Sequence, residues 1–308
     1  TWTTRTAYDF PTPKQWDPAT NTLDINADFA EDTVHSCTGG GHVFIDNNNI
    51  THVFFSMNKI MSDLAGGTSY FPGLSKLYYW NSAAADDAYT LIASPVDYNN
   101  NGEFGSAFAI PVYHSIGALG VPSAGQDGVG QLYCTYMANH ELENDGTAMF
   151  NHIYIVKSAD NGQSWSNPYD LTGNISNLEC AYPAMAELVG DSVHIVYQRD
   201  NGPGNAAGDG AHSHVLNDIV HLKVDNCVFG VRATSTDETS SAALDGTATT
   251  YLEGGVSPYF YSWSVGQTVM AGQTAANLTS LSPGEYSVTI ADNNGCIAVA
   301  QGLTVSAG

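Results

Sequence analysis

Hydrophobic and polar positions alternate along this chain in short runs separated by Gly, Asn and Asp. The first group of runs covers 39–45 (G-G-G-H-V-F-I), 50–56 (I-T-H-V-F-F-S), 74–80 (L-S-K-L-Y-Y-W) and 88–93, with D-N-N-N at 46–49 as a turn. A second group covers 104–114, 130–138 (G-Q-L-Y-C-T-Y-M-A), 152–157 and the stretch after Trp165. A third covers 181–188, 192–197 and 217–223. A period of two bounded by turn residues predicts strands, and the runs are too short for amphipathic helices. The groups also resemble one another. I-T-H-V-F-F at 50–55 parallels S-V-H-I-V-Y at 192–197, and S-K-L-Y-Y at 75–79 parallels N-H-I-Y-I at 151–155 and N-D-I-V-H at 217–221. Such internal repetition predicts one small sheet per unit. Residues 1–36 carry Pro11, Pro13 and Pro18 and read as a connecting segment or part of a further unit.

The texture changes after Cys227. Residues 232–245 are rich in Ser, Thr and Asp and read as a linker or a first edge strand. Short alternating runs with Gly and Pro turns follow, including G-G-V-S-P-Y-F-Y-S-W-S at 254–264, L-S-P-G-E-Y-S-V-T-I at 281–290 and D-N-N-G-C at 292–296. Their pattern is that of a small β-sandwich of immunoglobulin type, with Tyr259, Tyr261, Trp263 and Tyr286 as its aromatic core. The expectation is therefore an all-β chain in two parts, 1–228 and 233–308.

Composition narrows the function. Asp and Glu number 31 against 8 Lys and Arg, for a formal charge of −23. That balance argues against nucleic acid and anionic membrane surfaces as partners. No apolar run approaches the ~18 residues of a membrane span. The chain begins at Thr1 and reads as a mature protein or a fragment. The five cysteines (Cys37, Cys134, Cys180, Cys227, Cys296) include no C-x-x-C pair, which argues against a structural zinc site. Cys134 and Cys180 could form a disulfide or stay as buried thiols.

Asp97-Tyr-Asn99-Asn-Asn101-Gly102 has oxygen side chains at alternate positions before a Gly, as a calcium loop does. Glu103 could complete the shell, and Ca²⁺ is the candidate cofactor. A plain polar hairpin is the other reading. His212 and His214 form an H-x-H pair, near Asp209 and Asp218. Glu141 and Glu143 could be posed as a glycosidase couple.

One turn ties the repeats together: Ser158-x-Asp160-x-Gly162-x-x-Trp165. Asp160 can accept backbone N–H groups, Gly162 can take positive φ, and Trp165 can fold back as an apolar plug between sheets. The four positions resemble the Asp-box of sialidase-like (BNR-repeat) β-propellers, where the box joins the third and fourth strands of a blade. That resemblance implies a partial propeller of about three to four blades over 1–228, to be completed by further blades or by another chain. The phrases quoted after residue 233 resemble the SprB-type repeat of Bacteroidota surface proteins. This second resemblance implies a secreted or cell-surface location and export by the type IX system. Those repeats carry an earlier cysteine that is missing here. Cys227 is then the nearest partner for Cys296, with a free Cys296 as the alternative.

A sialidase needs an arginine cluster for the substrate carboxylate and a Tyr nucleophile. This chain has only Arg5, Arg199 and Arg232. Tyr197 and Arg199, after a second strand, are the candidate ligand-facing pair, against a reading of Arg199 as a strand-end residue paired with Asp200 or another carboxylate. The expected function is a non-catalytic module for adhesion, glycan binding or surface assembly, with a surface glycan or protein as partner. The rival is a sialidase-type glycosidase whose arginines lie upstream.

Overall fold

The computed structural model describes residues 3–8, 16–17, 22–23, 33–62, 68–105, 107–111, 118–206 and 212–308. Among them every regular element is a strand. A minimal ladder pairs β1 (Trp16–Asp17) with β2 (Thr22–Leu23). The first large sheet is an antiparallel meander of β3 (Thr33–Ile45), β4 (Thr51–Ser62), β5 (Thr68–Asn81) and β6 (Thr90–Ala93). The second is a meander of β7 (Leu119–Asp127), β8 (Leu132–Asn144), β9 (Met149–Ser158) and β10 (Tyr169–Asp170). The third sheet has the order β11-β13-β14, from β11 (Glu179–Met185), β13 (Ser192–Asp200) and β14 (Asp218–Asp225). Between its strands, β12 (Leu188–Val189) lies parallel to β7 at the edge of the second sheet.

Register explains the side-chain pattern. β9 is buried at every position. It lies between two neighbours, so both faces are covered. Tyr154 and Val156 join a core with Phe54, Leu77 and Tyr79 of the first sheet. Ile153 and Ile155 join Cys180, Tyr197 and Ile195 of the third. β13, by contrast, buries Val193, Ile195 and Tyr197 and exposes His194 and Val196, because only one of its faces is covered. The strand expected over 104–114 lies elsewhere. The first strand of the second sheet is β7, while Ala109 makes a single bridge to Ala148. Gly105 and Pro111 punctuate the expected run, and residues 112–117 fall outside the described set.

The C-terminal part has two facing sheets. One has the order β15-β16-β19, from β15 (Phe229–Thr236), β16 (Gly246–Gly254) and, later in the chain, β19 (Leu278–Leu281). The other has the order β18-β17-β20-β21, from β17 (Phe260–Val265), β18 (Thr268–Val269), β20 (Gly284–Ala291) and β21 (Ile297–Val305). The polar run after Cys227 thus opens with an edge strand, β15. Trp263 is fully buried between the sheets with Leu278, Tyr286, Val288, Ile290 and Leu303. Tyr259 and Tyr261 stand at the margin, only partly buried. Cys227 and Cys296 form a disulfide across 69 residues, with Cα atoms 5.5 Å apart. Cys134 and Cys180 are buried thiols on opposite sides of the second sheet, so they do not meet.

Candidate functional site

A cleft of about 560 Å³ opens where the loop after β6 meets β15 and β16. Asp97 and Tyr98 form one wall, Arg232, Tyr251 and Glu253 the other. Tyr251 and Glu253 alternate along β16, so both face the same side. The Arg232 guanidinium lies 4.7 Å from the centre of the Tyr98 ring and 5.2 Å from that of Tyr251. Its Nε donates to Glu253 Oε1 at 2.9 Å. Burial raises the pKa of Glu253, and the Arg232 bond opposes that shift.

Behind Tyr98 sits a denser cluster. The His140 ring stacks on Tyr98 with centroids 4.0 Å apart and lies 4.7 Å from the ring of His152. His152 is fully buried. Its Nδ1 is 2.6 Å from Asp170 Oδ2, and its Nε2 is 3.6 Å from Glu143 Oε2. The strands deliver these groups by register. His140 and His152 flank the β8–β9 hairpin, and Asp170 pairs with Tyr154, two residues beyond His152 on the same face. Burial and the neighbouring His152 push His140 down to about 4. Burial also pulls on His152, but the Asp170 hydrogen bond and the charges of Asp170, Glu143 and Glu179 carry it above its ordinary value. Two imidazoles beside two carboxylates can move a proton or hold a cation. No local motif marks this cluster, since its members come from three strands. The available signal was a pair of histidines placed nearly symmetrically about an Asn-Asp-Gly turn.

The other candidate residues lie apart from this cluster or at its edge. In the Asp97 loop, Asp97 accepts the N–H groups of Asn101 and Gly102, Asn99 that of Asn101, and Asn101 that of Glu103. The candidate ligand oxygens thus bind the loop's own backbone. Glu141 anchors the loop by accepting the N–H groups of Tyr98, Asn99 and Gly105. Its carboxylate is fully engaged, which does not suit a glycosidase couple with Glu143. In the box, Gly162 N–H donates to Ser158 Oγ (2.8 Å), which in turn donates to Asp160 Oδ1 (2.8 Å). Asp160 also accepts from Ser164 N–H (2.8 Å). Gly162 has φ +86°, and a Cβ there would fall 2.2 Å from the Tyr79 ring. Trp165 packs edge-on against Phe54 and Tyr79, so it fills space between the first and second sheets. The box is a structural joint.

Tyr197 is a core residue, 2% exposed, beside Met137 and Cys180. A ligand would have to displace that packing to reach it, so the ligand-facing expectation for Tyr197 does not fit its position. Arg199 Nη2 pairs with Asp218 Oδ2 at 2.8 Å, its neighbour across the ladder. Arg5 pairs with Asp86 and Arg232 with Glu253. The three arginines therefore sit in three places, each with its own carboxylate. His212 and His214 lie in a loop, where both nitrogens of His212 face backbone carbonyls; Asp209 lies outside the described residues.

No family model matches the chain, and no curated protein does. Among solved structures, the chain is similar to a protein of unknown function from Dyadobacter fermentans, with 15% identity over 87% of this chain and 69% of that one, at a TM-score of 0.34. It is also similar to the polysaccharide lyase Uly1, with 12% identity over 87% of this chain and 62% of the lyase, at a TM-score of 0.27. Likenesses this distant carry no weight for function.

Proposed function

We propose that this chain is a non-catalytic glycan-binding module of a secreted or surface protein, and that the cleft lined by Tyr98, Tyr251, Arg232 and Glu253 is its binding surface. The observation that carries the reading is the arginine stacked against two tyrosine rings at the mouth of a 560 Å³ cleft. Sugars are recognised by aromatic faces that cover their C–H surfaces and by fixed charged groups that bond their hydroxyls. Tyr98 is buried with His140 stacked on it and serves to hold the arginine, so Tyr251 is the ring offered to a sugar. The ligand class follows from charge. Arg232 is already committed to Glu253, Asp97 adds a second carboxylate, and the whole chain is strongly acidic. An anionic glycan would be repelled, so the proposed ligand is neutral.

The same reading takes residues 1–228 as a segment of a sialidase-like propeller and 233–308 as an immunoglobulin-type sandwich. In support, successive meanders of like order face one another through shared cores. Trp263 fills the C-terminal core, and Tyr286 Oη donates to Ser282 O at 2.8 Å, a corner bond of the kind seen in such sandwiches. A disulfide suits an extracellular location. Calcium at Asp97, Asn99, Asn101 and Glu103 enters only as an ion that would stiffen the rim. The three separately paired arginines of this chain cannot form one clamp, so the rival sialidase reading would need its arginines from upstream.

The test is binding of the full chain to immobilised neutral oligosaccharides and to sialylated ones. The expected result is retention of a neutral glycan, weakened at least tenfold by Tyr251→Ala or Arg232→Ala. Binding only to sialylated glycans, or binding untouched by both substitutions, would overturn the assignment.

A further inference from the structure

We infer that His140, His152 and Asp170 form a binding site for a divalent transition-metal ion of the zinc class, separate from the proposed glycan cleft and from the Asp97 loop. Three observations converge. One ligand atom from each of the three residues lies within 4.8 Å of the other two. An ion bound at about 2.0–2.1 Å holds tetrahedral ligand atoms roughly 3.3 Å apart, so small side-chain rotations close the site. The donor set is two imidazoles and a carboxylate, which suits zinc and its neighbours, whereas calcium and magnesium favour oxygen alone.

The second observation is an unmet demand. His152 is fully buried, yet its Nε2 has no hydrogen-bond partner. A buried polar atom left in that state is costly. Glu143 approaches it at 3.6 Å, too long for a hydrogen bond. Each nitrogen of His152 thus has a carboxylate beside it. With the ion on the Asp170 side, Glu143 takes the remaining N–H, the usual arrangement by which an outer carboxylate orients a metal-bound histidine. The third observation is cover. The Tyr98 ring lies flat on His140 and closes the side facing the cleft. A plain buried imidazole–carboxylate pair would account for Asp170 but not for the second imidazole beside it, nor for a second carboxylate at the other nitrogen of His152.

The experiment uses the full chain stripped with a chelator. Zn²⁺ is titrated against a chromophoric competitor, and Co²⁺ is added separately for its ligand-field spectrum. One equivalent of Zn²⁺ should bind and raise the melting temperature, since only the folded chain assembles the ligands. Co²⁺ should give the intense visible bands of a low-symmetry nitrogen–oxygen site. His140→Ala and Asp170→Asn should each weaken Zn²⁺ by more than a hundredfold, and Glu143→Gln by about 10–100-fold. Asp170→Asn keeps the shape of the side chain and decides the matter if His140→Ala fails to fold. His194→Ala is the control, because the exposed His194–His221 pair is the competing zinc-binding surface. Absence of stoichiometric Zn²⁺ binding overturns the inference. So does binding that survives Asp170→Asn or disappears in His194→Ala. Displacement by equimolar Ca²⁺ would also overturn it, by pointing to an oxygen-only site such as the Asp97 loop.

Discussion

The two parts of this molecule solve the problem of burial differently. Between the sheets of residues 33–228, the interior holds His52, Asn58, Glu141, Asn151, His152, Lys157 and Glu179 among its aromatic and aliphatic side chains. In the facing sheets of 229–308, only Glu238 and Asp292 are buried polar or charged residues among those described, and the core around Trp263 is apolar. Polar groups inside a protein lose hydration and must recover it through specific bonds. The N-terminal part therefore gains placement of chemistry at the expense of stability. The C-terminal part gains stability from a dry core and from a disulfide that closes a long loop. All ten histidines lie before residue 229 and none after it. The difference teaches where to look: reactive groups belong to the meandering sheets, and the C-terminal part lends them Arg232 and one wall of a cleft.

The strongest way to break this comparison is to remove one tryptophan from each part. Trp263→Ala should cost about 3–5 kcal/mol, because a fully buried indole leaves a cavity in a core with nothing polar to refill it. Trp165 is only partly buried, at a joint between sheets. Trp165→Ala should cost roughly half as much by the same cavity reasoning. Denaturant unfolding of the two variants measures the ratio. Equal costs would mean that packing between the N-terminal sheets is as dry and as decisive as the sandwich core.

A smaller effect tests the buried polar groups. Glu141 accepts three backbone N–H groups from the loop after β6. Glu141→Gln replaces one acceptor oxygen with a donor and should cost about 1–3 kcal/mol. The loss should be local. Limited proteolysis should find new cleavage between residues 97 and 105, with the C-terminal part still protected. Unchanged cleavage would show that the loop is held by its own Asx bonds rather than by the interior.

How legible this was in the sequence depended on the range of the interactions. Runs such as S-V-H-I-V-Y, with Val193, Ile195 and Tyr197 inward, record a one-sided sheet in their alternation. The Ser158–Trp165 turn was legible because its bonds are local. β7 was not legible, since L-G-V-P-S-A-G-Q-D has a Pro and two Gly and no alternation. The structure accommodates them with a register shift near Val121, whose φ is +53°. The His140–His152–Asp170 cluster was missed because it depends on tertiary register across three strands. Tyr197 reads as a ligand contact from its strand position, because the cover over it is tertiary and leaves no mark in the run. Pairing of Arg199 with a carboxylate is the sequence's alternative reading, and the partner is Asp218 across the ladder.

The smallest expected effect is also the most selective one. His35, His42 and His52 lie on the first sheet, and all three have pKa values lowered chiefly by burial. Lys59 and Lys76 lower His35 further, while Glu187 partly offsets the shift at His42 and Asp46 that at His52. A histidine with a lowered folded pKa contributes stability that is fully present above the unfolded value of about 6.5 and is lost as pH falls through the folded value. His140 is lowered and His152 raised, and both lie on the second sheet, outside the peptides being compared. The C-terminal part has no histidine. Of its two shifted carboxylates, Asp245 is lowered by hydrogen bonds from Thr239 and loses its contribution only as pH falls below the usual carboxylate range, whereas Glu253 has the opposite sign. Burial raises it, so its contribution is present at low pH and is lost as pH rises through the folded value. Between pH 7 and pH 5, hydrogen exchange corrected for intrinsic rates should show protection falling in peptides from 33–62 and holding or rising in peptides from 246–305. His52→Gln, which cannot charge, should reduce that fall. Equal loss of protection in both parts would show that they unfold as one unit, whatever the difference between their cores.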